Sequence, residues 1–119
     1  MLSIQNKLRT LYTALAGIES LQGRVYHDDA VSRAKFPYLV WYEESEDESL
    51  EADNHKQEQS VMGYVNLYTK TEFDPIVDEV QEVLNGIENL SWSWDARTPY
   101  DPSFDDNDVQ TYSWTWRMR

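Results

Sequence analysis

The chain has 119 residues, 40% of them hydrophobic and 27% charged. Those proportions suit one folded domain, of a size that buries about two thirds of its unfolded surface. It has no cysteine, which excludes disulfides, thiolate metal sites and cysteine nucleophiles, and no apolar run near the roughly 18 to 20 residues that a bilayer crossing needs. With 22 acidic against 10 basic residues and a net charge of -12, it repels nucleic acid at long range, so specific DNA or RNA binding is not expected.

The charge is uneven. Residues 1–35 hold five basic and three acidic side chains, leaving -14 on the remaining 84 residues. MLSIQNKLRT lacks the apolar stretch of a signal peptide, so the protein is expected inside the cell at synthesis, with no membrane role.

Ile4, Leu8, Leu11, Leu15 and Ile18 recur every three or four residues, which predicts a helix over about 3–20 with Ser3 as N-cap and Gly17 or Gly23 near its end. GRVYHDD reads as a short strand and VSRAKFP as a loop, because the residue before Pro37 is biased to extended geometry. PYLVWYEE is a strand rich in aromatic and β-branched residues, opened by a proline where it does no harm. A polar stretch follows in which Glu43, Glu44, Glu46, Asp47, Glu48, Glu51 and Asp53 crowd together, and then VMGYVNLYTK, a second strand. The pair predicts a hairpin whose loop, at about 44–59, is far longer than the usual two to five residues; loops of that length are commonly functional.

Thr71 and Asp74 offer a capping box ahead of Phe73, Ile76, Val77, Val80, Val83, Leu84 and Ile87, an amphipathic helix stopped at Gly86. LSWSWD and DVQTYSWTWRMR close the chain as a strand pair around the turn-rich RTPYDPSFDDND. The order helix, strand, strand, strand, helix, strand, strand predicts a single α+β domain over 1–119. Its sheet is one mainly antiparallel layer of four to five strands, with two helices packed on one face.

Four of the five tryptophans fall in two alternating pairs, Trp92/Trp94 and Trp114/Trp116. Alternation sends Tyr112, Trp114 and Trp116 to one side of the last strand and Ser113, Thr115 and Arg117 to the other. Pairing the two strands would build a cross-strand aromatic ladder. These four rings are expected in the core under the helices or in a subunit interface; a sugar-stacking platform is the alternative.

The sequence points to no catalysis. An EF-hand register started at Asp101 puts Asp106 at the glycine position and Tyr112 at the final glutamate position. His27 and His55 sit in no metal or nucleophile spacing, and there is no GxGxxG, P-loop or GxSxG. No catalytic residue, metal or cofactor is therefore expected, and the carboxylate run defaults to a solvated surface.

Gly23, Arg24, Val25 and Tyr26 after a leading helix, then Pro37, Tyr38, Leu39 and Val40 opening a strand, resemble the tail-completion or tail-terminator proteins of long-tailed bacteriophages. VMGYVNLYTK followed by TEFDPIVDEVQEVL resembles their strand-then-helix segment, and the closing aromatic strand fits their last element. The chain departs from their pattern in its tryptophan-rich end and its acidic hairpin. The resemblance implies a non-enzymatic virion subunit, made in the host cytoplasm, that forms a hexameric ring on the tail tube. Such a ring touches the tail-tube protein on one side and a head-completion or connector protein on the other, and DNA passes through it. Six copies would each bring -12. If Glu46, Asp47, Glu48, Glu51 and Asp53 line the channel, passing DNA would be repelled from its walls. Two other classes compete: an acidic DNA mimic that inhibits a nucleic-acid enzyme, and a carbohydrate-binding module using the tryptophans.

Overall fold

A computed structural model describes residues 3–46, 60–104 and 108–119. The first helix, α1 (Ile4–Ala16), starts where the sequence predicts, with the Ser3 side chain accepting the Asn6 N–H at 3.2 Å. It ends four residues earlier than the periodicity suggests. The Gly17 N–H closes on Thr13 and Ala14, Ile18 turns extended, and a 3-10 turn (Glu19–Leu21) follows. That tighter path lets Ile18 and Leu21 both reach the core before Gly23, at φ +80, reverses the chain.

Five strands form one sheet: β1 (Val25–His27), β2 (Tyr38–Glu46), β3 (Val61–Thr69), β4 (Leu90–Thr98) and β5 (Gln110–Met118), in the order β1-β2-β3-β5-β4. All neighbouring pairs are antiparallel except β1 with β2. The fold is α+β, with a mostly antiparallel sheet and two helices packed against it. Among the described residues, no helix is long and apolar enough to cross a membrane.

The second helix, α2 (Ile76–Asn85), starts later than the Thr71/Asp74 capping box requires. Asp74 does the capping from outside the helix. One carboxylate oxygen accepts the Ile76 N–H at 2.9 Å, and the other accepts the hydroxyl of Thr69, not Thr71, at 2.6 Å. Pro75 then enters the first turn, where its missing N–H costs nothing. This removes Phe73 from the predicted apolar stripe. It sits before the helix at φ 55, with its ring 86% exposed.

One face of the sheet is apolar and lies under the helices. Leu39 and Trp41 of β2, Val65 and Leu67 of β3, and Trp114 and Trp116 of β5 meet Leu11, Leu15, Val80 and Leu84 there. Gly63 lies opposite Trp116 in the β3–β5 pair. A Cβ at that position would fall 2.0 Å from the Tyr42 carbonyl oxygen and 2.8 Å from the Trp116 ring. Only a glycine lets β2 and the indole close over it.

The opposite face is rich in tyrosine. Tyr38 stacks on Tyr68 at 5.0 Å between ring centres, Tyr42 meets Tyr64 at 5.4 Å, and Phe104 folds back onto Phe36 and Tyr68. Asp101 organises that return. Its carboxylate accepts the Thr111 hydroxyl at 2.6 Å and the Ser103 N–H at 2.9 Å, while its own N–H donates to the Val109 carbonyl.

Candidate functional site

The two tryptophan pairs meet in register. Trp92 lies opposite Trp116, and Trp94 opposite Trp114. The four rings have different surroundings. Trp114 and Trp116 are completely buried, Trp92 is half-buried against the core, and Trp94 at the sheet edge is 56% exposed. The Trp92 indole N–H donates to the Asn85 side-chain oxygen at 2.7 Å and that of Trp114 to Gln81 at 3.2 Å. Both acceptors lie on α2, so the ladder is also what seats that helix.

A β-bulge at Asp95 interrupts β4 between Trp94 and Ala96. Asp95 lies on the far face, where its carboxylate accepts the Thr115 hydroxyl, and the extra residue brings Arg97 opposite Tyr112 on the helix side. Strict alternation would have sent Arg97 away from the tryptophans. Instead Arg97 donates through Nε and Nη2 to the Gln110 side-chain oxygen, at 3.2 and 2.9 Å. Phe73, Val77, Trp94, Arg97 and Tyr112 line a cleft of about 460 Å³ with Glu72 and Asp78 on it.

At the other end of the sheet, a second cleft of about 620 Å³ separates α1 from the β1 edge. Its floor is aromatic. Trp41 lies between Tyr12, at 6.1 Å, and His27, at 4.2 Å, and Leu8, Arg9 and Asp29 complete the walls. His27 donates from Nε2 to Glu43 at 2.6 Å, and the Asp28 carboxylate approaches the same nitrogen at 3.4 Å. The three donor atoms lie within 4.8 Å of one another. Glu43 is far from His27 in sequence, and only the parallel β1–β2 pairing brings them together, so spacing alone could not reveal this cluster. It lies at the protein surface, with His27 and Asp28 exposed and Glu43 half-buried.

Burial on the tyrosine face raises the Tyr38 phenol to about 12, with help from Tyr68 and Asp101 nearby. Burial, then Asp101, raises Tyr68 as well. Burial also works to raise Asp101, but the hydrogen bonds from Thr111 and Ser103 outweigh it and hold the carboxyl below its ordinary value.

Of the expected channel-lining residues, Asp47, Glu48, Glu51 and Asp53 lie outside the described residues. Glu46 is not part of the loop as expected: it is the last residue of β2, paired with Val61 of β3. The hairpin itself forms, with β2 and β3 antiparallel and a bulge between Glu43 and Ser45. His55 lies outside the described residues. No protein-family model matches the chain, and no curated protein does either.

Proposed function

We propose that the chain is a structural subunit of a phage or prophage tail that caps the tail tube as a ring, joins it to the head and carries no catalytic activity. The observation that carries the reading is the junction of the two segments on which the resemblance rests. Val25 and Tyr26 pair in parallel with Leu39 and Val40. Arg24 donates from Nε to the Pro37 carbonyl at 2.8 Å, and the Leu39 N–H returns to the Arg24 carbonyl at 3.0 Å. Gly-Arg-Val-Tyr and Pro-Tyr-Leu-Val therefore make one structural unit at the sheet edge.

The remaining support is chemical. A sheet with aromatic clefts at both ends suits a subunit whose work is contact with neighbours, and an acidic hairpin suits a channel that must pass DNA without holding it. Trp94 alone of the four paired tryptophans presents most of its ring to solvent, which favours contact over a paired sugar platform. The test is a native mass measurement of the chain mixed with tail tubes from the phage or prophage that encodes it. Closed multimers of one size on the tube support the reading; a chain that never leaves the monomer position with tubes present contradicts it.

A further inference from the structure

We propose that the chain contacts a second copy of itself head to tail, with the Phe73 and Trp94 end of one copy seated in the cleft between α1 and β1 of the next. The inference rests on the ring-forming reading above and adds the contact that would build the ring. The two surfaces sit at opposite edges of the sheet, beside β4 and beside β1. Four strand spacings of about 4.8 Å separate those edges by roughly 19 Å, so the surfaces cannot meet within one copy. A contact between two unlike surfaces of the same chain is heterologous, and it closes into a ring when the rotation per copy allows.

Charge supports the pairing. Residues 71–96 carry seven acidic side chains and no lysine or arginine, whereas residues 3–35 carry five basic against three acidic, one of the basic ones, Lys7, being buried. The acidic helix α2 packs beside β4, and α1 packs beside β1. Glu72 and Asp78 flank Phe73; Arg9 stands on the wall of the opposite cleft with Asp29, and Asp28 and Glu43 lie at the His27 of its floor. Two Phe73 ends, each acidic, would repel, so the charges select against a dimer through that end.

Shape supports it as well. Phe73 is held outward at φ 55, a backbone region that disfavours bulky residues, and it is 86% exposed. The opposite cleft has an aromatic floor of Tyr12, Trp41 and His27 and room for such a ring. Aromatic anchors seated in pockets with charges at the rim are the usual energetic centre of protein contacts.

The chain has no native cysteine, so engineered pairs report the contact cleanly. The test places Tyr12→Cys and Phe73→Cys together and singly in the full chain, oxidised at about 0.15 M salt, where long-range repulsion is screened. The expected result is a ladder of disulfide-linked multimers from the double variant and none from either single variant. Adding Arg9→Glu should slow ladder formation about tenfold, and Asp78→Arg on top of it should restore it. Unchanged emission from the buried tryptophans checks the fold of each variant. Should a cysteine variant misfold, sedimentation of the cysteine-free chain with Arg9→Glu, then with Asp78→Arg added, reads the same contact: association lost, then regained.

A double variant that stays monomeric, or a dimer from one single variant, overturns the proposal. If the wild-type chain still caps tail tubes in that case, the ring reading stands and only this contact falls. If the caps are also absent, both fall.

Discussion

Trp114→Ala and Trp94→Ala remove the same side chain from directly opposed positions, and the structure predicts unequal costs. Trp114 is fully buried, packs against Tyr112 at 6.4 Å and donates to Gln81. Its removal loses transfer energy, opens a cavity under α2 and strands the Gln81 acceptor, about 3 to 5 kcal/mol in all. That is a large share of the roughly 5 to 15 kcal/mol available to a domain of this kind. Trp94 is more than half exposed, so its removal costs a cross-strand contact and part of its own burial but leaves no cavity, about 1 to 1.5 kcal/mol. Urea unfolding reads the difference. With m near 2 kcal/mol/M, the Trp114→Ala midpoint should fall by about 1.5 to 2.5 M and that of Trp94→Ala by well under 1 M. Equal shifts, or a Trp114→Ala midpoint that barely moves, would refute the placement of the ladder beneath the helix.

Gly63→Ala should destabilise by at least 1 to 3 kcal/mol, since the new Cβ meets backbone of β2 as well as the Trp116 ring; a thermal midpoint equal to wild type would contradict that close approach. The titrations of Asp101 and Tyr38 bound a pH plateau. The depressed Asp101 contributes stability above its ordinary value of 3.8 that is lost as pH falls through its lower folded value. The raised Tyr38 contributes stability that is complete below 10.0 and lost as pH climbs toward about 12. Asp101→Asn should therefore flatten the acid limb of a stability-pH curve and, by removing a charge that helps raise Tyr38 and Tyr68, make the alkaline limb shallower as well. At low salt the free chain should sediment as a monomer, because copies at -12 repel; a stable hexamer there would remove that argument.

Much of the fold was legible because its signals are local. The period of α1 as far as Leu15, the Ser3 cap and the alternation of Trp114 and Trp116 each depend on neighbours a few residues away, and these appear in the structure. The tyrosine face was equally open to reading, since Tyr38 and Tyr42, then Tyr64 and Tyr68, alternate with the apolar positions of β2 and β3. What the sequence hid depends on distant partners. The Asp95 bulge re-aims Arg97 through its pairing with β5, and Thr69 displaced Thr71 as the partner of Asp74. The convergence of His27 with Glu43 needs β1 to lie parallel to β2. Phe73 was misplaced for a related reason: its spacing suits a helical stripe, but the cap at Asp74 starts the helix after it.

Growth of the tail tube in the presence of the chain tests the central claim most directly. Tubes assembled from their own subunits should stop at shorter, chain-dependent lengths and carry a ring of density at one end when imaged by electron microscopy. Tubes that lengthen at the same rate, with bare ends at every concentration of added chain, would contradict it.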